Sequence, residues 1–152
     1  MAGWTNRLKF NTLGWTFRGV AFPTNFYIAL VTSAVAPVAD TNTKSELTEI
    51  ANGNGYVTGG TSLTRNSTDF DVLTEDDGND RALVQLKDIV WTASGGPIPA
   101  SGNGARYAIL SDDNATQGSR EVYVYWDLVS DRTVSSGQTL TLQNCEVRID
   151  EA

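Results

Sequence analysis

Phe26-Tyr27-Ile28-Ala29-Leu30-Val31-Thr32 is apolar at almost every position. A strand with one wet face alternates, whereas a strand covered on both faces reads as a continuous apolar run. Residues 26–32 are therefore expected as a strand with cover on both sides, opened by Pro23. A loop containing Pro37 follows, and then Ser45-Glu46-Leu47-Thr48-Glu49-Ile50. That segment predicts a short helical turn over residues 45–51 with Leu47 and Ile50 facing inward. Ser45 could cap it. Thr43 fits better, because Glu46 stands three residues on, as a capping box requires. Asn52-Gly53 and Asn54-Gly55 are consecutive turn signals, since both residue types tolerate positive φ.

Working outward, the same grammar repeats. Residues 56–65 and 70–73 are expected as short strands and Glu75–Asp80 as a turn. Arg81–Thr92 reads as one long strand whose inward parity changes between Leu86 and Ile89, which predicts a bulge near Lys87-Asp88. Residues 94–104 form a loop. Ala105–Leu110 is a strand, and Val122–Leu128 is the most β-prone run in the chain. Thr139–Leu142 and Glu146–Asp150 both alternate, with a bulge expected at Asn144-Cys145. Short strands separated by turns indicate a sandwich or barrel. The expectation is a mainly β chain, an antiparallel β-sandwich or jelly-roll-like domain with an N-terminal helix and one short additional helix. A single domain spans 1–152, with residues 1–19 as a helical segment or arm and 23–150 as the sandwich.

The N-terminal helix is placed at residues 4–17. Trp4, Leu8 and Trp15 fall near one face, with Phe10, Leu13 and Phe17 on its flank. Gly14 lowers the propensity, and Arg18-Gly19 supplies the stop. This aromatic segment either packs on the sheet or docks on a neighbouring subunit.

Composition narrows the chemistry. The 152 residues carry a net charge of −7, and the basic residues are scattered, so a nucleic-acid partner is not expected. No residue is a histidine, which removes the usual general base and the commonest metal ligand. The one cysteine, Cys145, leaves no intrachain disulfide and reads as a small semi-buried residue. No basic region followed by an apolar stretch marks a secretory signal, and the apolar runs are too short to span a membrane. The chain is expected to be made soluble in a cytoplasm.

Glu75-Asp76-Asp77-Gly78-Asn79-Asp80 and Asp112-Asp113-Asn114 offer oxygen ligands, but neither has the spacing of a calcium loop. Both read as solvated turns, and whether they converge on one ion is left open. The serines lack a histidine or a Ser-x-x-Lys partner. A carboxylate pair for glycoside hydrolysis would have to assemble in space. Trp91, Trp126 and the tyrosines alternate within strands, which favours core packing over a sugar site. No catalytic residue, cofactor or metal is expected, and the chain reads as a non-enzyme.

Six segments together carry a resemblance: the aromatic helix ending in Phe17-Arg18-Gly19, Tyr27–Ser33, Thr48-Glu49-Ile50 with Gly53-Asn54-Gly55-Tyr56, Ile89–Ala93, Ala105–Leu110, and Tyr125–Leu128 before a glycine turn at Gly137. In this order they resemble small structural proteins of tailed bacteriophages, of the head-decoration (cement) or tail-fibre-like kind. The likeness covers nearly the whole chain and is weakest around residues 69–81. It implies a β-sandwich that assembles on a virion, with the outer capsid surface as its place. The implied partners are the major capsid protein and copies of itself, grouped as trimers, with no nucleic acid and no membrane. Contacts are expected from Trp4, Leu8, Trp15, Phe17 and Arg18, or from the loop Pro97-Ile98-Pro99. A tail-tube, adaptor or baseplate component and a carbohydrate- or receptor-binding module are the alternatives.

Overall fold

The computed structural model describes residues 2–150. It is mainly antiparallel β with one helix near the N-terminus. The continuous apolar run becomes β2 (Asn25–Val31), which lies inside a five-stranded sheet between β7 (Ala105–Ser111) and β3 (Thr61–Thr64). Beyond β7 come β8 (Val122–Arg132) and, at the far edge, β1 (Ala2–Trp4). Both faces of β2 are covered, as its composition predicts. Ile28 and Leu30 enter the main core, whereas Ala29 and Val31 join Leu47, Ile109 and Val122 in a smaller cluster.

The second part of the β structure is a long ribbon. β5 (Arg81–Gln85) pairs with β10 (Glu146–Asp150), and β6 (Ile89–Thr92) pairs with β9 (Thr139–Leu142). β4 (Val72–Asp76) completes a three-stranded sheet as its edge. The expected single strand over 81–92 is thus two strands, and the expected bulge at Asn144-Cys145 is the matching break on the partner. Register survives the break: Gln85 faces Glu146 on one side and Ile89 faces Leu142 on the other. The Leu86 N–H donates to the Cys145 carbonyl across the gap, at 3.0 Å. Leu86 is fully buried there, and Ile89 and Trp91 carry the inward face onward. The change of parity read from the sequence is this switch.

Three other expectations need correction. Trp4 is not helical. It ends β1, opposite Val124, and the helix α1 runs over Asn6–Phe17. Thr5 separates the two. Its hydroxyl accepts from the Leu8 N–H and donates to the Val122 carbonyl at 2.6 Å, so one side chain caps the helix and ties it to β8. The short second helix shrinks to a 3-10 turn over Lys44–Glu46, capped by Thr43 with the capping box that Glu46 suggested. A second such turn spans Gln117–Ser119. The expected strand over 56–65 is only β3, and residues 53–60 form a tight corner before it. Gly53 and Tyr56 pair across it, with Gly53, Asn54 and Gly55 all at positive φ.

β1 is held by an unusual fit. Gly3 stands opposite Tyr125, and the Tyr125 ring occupies the space a Cβ on Gly3 would need. The glycine thus lets an aromatic ring cover the edge strand.

Candidate functional site

α1 carries large apolar groups on opposite sides. Leu8 is buried and Trp15 half-buried, both turned to the sheet. At 3.6 residues per turn, Phe10, Leu13 and Phe17 fall on the opposite side. They are 68%, 59% and 78% exposed. Their spacing of i, i+3 and i+7 makes one continuous ridge. The sequence shows large apolar residues on two opposite sides of this helix, so its pattern alone does not decide which side packs. The Thr5 cap decides it, by fixing the helix on β8. Arg7 and Lys9 flank the ridge and Arg18 closes it, with no acidic residue in the helix.

The inner side of α1 overlooks an apolar cleft of about 230 Å³. Its walls are Trp4, Trp15, Phe26 and Val124 on the large sheet and helix, and Leu83 and Val147 on the ribbon. The cleft continues into a second hollow past Phe22, Phe70 and Leu73. Aromatic rings line the junction. Trp15 stacks on Phe22 at 5.0 Å, and Phe26 meets Phe70 edge-on at 5.6 Å. Leu73, on the free edge strand β4, lines both hollows yet is 82% exposed. Nothing in the described chain covers it. Trp4 Nε1 is buried in the described structure without a hydrogen-bond partner. Water fills such a place poorly, because it needs at least two polar partners and the walls are apolar.

The rim is charged. Glu75, Asp77 and Asp80 line a hollow at the tip of the β4–β5 hairpin that shares Ala82 and Ile149 with the cleft. Asp76 belongs to the same tip but is bonded to Asn79 and Arg81. Hydrogen bonds from Asn79, ahead of the Arg81 charge, hold its carboxyl below the ordinary carboxylate range. On the other rim, Arg65 lies over the Phe22 ring at 4.5 Å.

The expected contact residues are distributed as follows. Trp4, Leu8 and Trp15 belong to the cleft and core, while Phe17 and Arg18 lie on the exposed end of α1. Pro97 is exposed, and its carbonyl accepts from Asn54 Nδ2 at 2.8 Å. Ile98 and Pro99 are buried, and Ile98 exchanges both backbone hydrogen bonds with Val134. Phe10, Leu13, Phe22 and Leu73 were not expected as surface groups. The signal for Phe10 and Leu13 was present in the helical spacing, whereas the exposure of Phe22 and Leu73 depends on where the opposing layer ends.

Several of the acidic groups are occupied by the chain itself. The acidic turn at 112–114 holds backbone. Asp113 accepts from the Thr24 and Asn25 N–H groups, and Asp112 from the Glu121 N–H. It lines a different hollow from the 75–80 turn, so the two do not converge. Among the described residues, no group of three or more His, Cys, Asp or Glu is placed to hold a metal ion. Burial, and then the Asp88 charge, push the Cys145 thiol up to about 12. No helix among the described residues is long and apolar enough to cross a membrane. Comparison with protein-family models, curated proteins and solved structures finds no match for this chain.

Proposed function

We propose that this chain is a non-enzymatic structural protein of a tailed-bacteriophage virion, a decoration (cement) protein that binds the outside of the head and stabilises contacts between capsomers. Its partners are the major capsid protein and its own copies, grouped as trimers. Its fold is read as an antiparallel β-sandwich, with the five-stranded sheet as one layer and β4 with the broken ribbon as the other.

The observation that carries this reading is apolar surface left without cover. Phe10, Leu13 and Phe17 form an exposed ridge on the outer side of α1, and Leu73, also more than half exposed, lines an open apolar cleft. Surface of that kind marks contact with another macromolecule. The carboxylates of the 112–114 turn are instead bonded to the chain's own backbone. The whole-chain resemblance supplies the kind of assembly.

The test is binding of the purified protein to expanded capsids that lack it, read by electron microscopy. Ordered density on the outer surface is expected. Absence from heads, with rings or tail density instead, would sink the decoration reading and favour a tail component. Deleting residues 1–19 is a poor companion test, because it strips β1 and the inner side of α1 from the core. Phe17→Ser with Arg18→Ala changes only exposed groups and is the better variant.

One observation favours the carbohydrate-binding alternative. A cavity of about 550 Å³ has Leu30 and Trp91 among its lining residues, together with Arg132, Thr133, Gln143 and Asn144. Trp91 itself is buried, so a saccharide there would be held chiefly by the polar side chains. Val129, inside β8 beside the lining residue Leu128, is held at φ 70, a strained conformation for a β-branched residue. Tryptophan fluorescence that shifts with host polysaccharide would support this alternative.

A further inference from the structure

We propose that the α1 ridge formed by Phe10, Leu13 and Phe17 seats in the apolar cleft of a second copy of this chain, beside Leu73 and the acidic tip of the β4–β5 hairpin. The inference deepens the self-association in the proposed function and rests on that part of it alone, since capsid binding can fail while this contact holds.

Two surfaces on one chain are each incomplete, and their shapes correspond. The ridge is a helical stripe of i, i+3 and i+7 anchors turned away from its own sheet. That is the form in which a helix enters an apolar groove. The cleft is the complement: apolar walls, and a free edge strand whose Leu73 lacks an opposing layer. In a sheet packed face to face, such an inward residue meets side chains about 10 Å away on the other layer. Here the opposing sheet ends at β3, and the hollow past Phe22 and Phe70 takes its place.

Charge selects the occupant. The chain carries −7 overall, so copies repel each other on average. The ridge departs from that average, with Lys9 on the helix, Arg18 at its end and no acidic residue in α1, while Arg7 is paired with the chain's own Glu121 at 3.5 Å. Glu75, Asp77 and Asp80 gather at the Ile149 end of the cleft, where the one cation of that hollow, Arg81, is already paired with Asp76. Arg65 is the one cation of the opposite rim, and it is engaged with its own Phe22 ring. A basic apolar ridge and an acidic apolar cleft on the same chain fit each other across two copies. An anionic membrane would match the ridge but not the cleft.

Because ridge and cleft are unlike patches, the contact is head-to-tail. Such contacts propagate until a ring closes them. Three copies is the number in the proposed function.

Sedimentation of the full chain over a concentration series tests this without capsids. The wild type is expected as a trimer. Phe10→Ser with Phe17→Ser on the ridge, and Leu73→Lys at the cleft, should each weaken association by about tenfold or more. Both changes are at exposed positions, and unchanged circular dichroism and thermal unfolding would show that the fold survives. Mixing the two variants is the decisive step. One contributes an intact cleft and the other an intact ridge, so the mixture should form a one-to-one pair that neither variant forms alone. A wild type that stays monomeric, variants that associate like the wild type, or a mixture that fails to pair would each overturn the contact. So would ridge-dependent binding to anionic vesicles that matches a monomeric wild type, which would assign the ridge to lipid.

Discussion

Lys44 Nζ lies 2.6 Å from Glu49 Oε2, with the two side chains only 7% and 12% exposed. The other Glu49 oxygen accepts from the Tyr56 hydroxyl at 2.6 Å and from the Gly59 N–H at 2.7 Å. Tyr56 in turn accepts from the Leu30 N–H in the centre of β2. The ion pair therefore anchors the corner at 53–60 to the five-stranded sheet. Removing one member of such a pair leaves a buried charge without compensation, at a cost of about 3–5 kcal/mol. Lys44→Met should show that loss in urea unfolding. Glu49→Gln keeps an acceptor for Tyr56 and Gly59 but strands the ammonium, so it should also destabilise strongly. If either variant unfolds within about 1 kcal/mol of the wild type, the pair is not the anchor described here.

Gly60 should tolerate no side chain. Its φ is +76, and a Cβ would collide with the Ile28 carbonyl oxygen and the Ala29 Cα. Neither backbone can yield easily, because Ile28 is paired on both sides, with Thr61 and Leu110, and Ala29 is paired with Ile109 on β7. Gly137 has a similar φ of +86 but open space around it. Gly137→Ala should cost about 1–2 kcal/mol, the ordinary penalty of the left-handed region. Gly60→Ala should cost well beyond that or prevent folding. Equal melting temperatures for the two variants would refute the steric account.

Acid should weaken the fold partly through Asp69. Its Oδ1 meets Lys87 Nζ at 2.5 Å, and Oδ2 accepts from the Thr64 N–H at 2.7 Å. The Lys87 bond first and the Thr64 bond second hold its carboxyl below the ordinary value, against the opposing effect of burial. A carboxyl lowered in the folded state stabilises it above the unfolded pKa of about 3.9 and loses that contribution as pH falls through the folded value. Asp69→Asn should therefore flatten the fall in melting temperature below about pH 4. Asp76 and Asp127 are lowered in the same sense, so some slope remains. Asp112 acts in reverse: burial raises it, and its protonation on acidification favours the folded state. An unchanged slope in Asp69→Asn would remove Asp69 from this account.

Cys145 should be inert until the ribbon opens. The residue is 4% exposed, and its thiol is pushed up to about 12. Little thiolate exists near pH 8, and thiolate is the reactive form. Iodoacetamide should label the native protein slowly and the urea-unfolded protein fast. Complete labelling of native protein on the unfolded timescale would contradict the buried placement.

The strands were legible where physical chemistry is local. β2 is visible in its apolar run, β8 in its β-branched and aromatic residues, and the 44–46 turn in the spacing from Thr43 to Glu46. The ribbon break was visible as a change of parity at Leu86 and Ile89. Its nature was not, because a bulge and a paired interruption look alike on one strand. Trp4 was drawn into the helix by its spacing from Leu8. What placed it in β1 was Gly3 meeting the Tyr125 ring, a contact across more than a hundred residues that no local pattern carries. The cleft was hidden for a related reason. Phe22, Phe70 and Leu73 are ordinary core residues by type, and their exposure depends on the extent of a sheet assembled from distant segments.

The pairing of Ala2–Trp4 with Val124–Trp126 also sets a schedule for synthesis. At about 5–20 residues per second, β1 waits on the order of ten seconds for its partner to leave the ribosome. β5 waits for β10 in the same way. Contacts this distant in sequence make folding slow and late. Through that interval Trp4, Leu8 and Trp15 have no sheet to cover them, and transiently exposed apolar groups of this kind make a chain prone to aggregate. Raising the expression rate should thus increase aggregation, and lowering the temperature of synthesis should recover soluble protein.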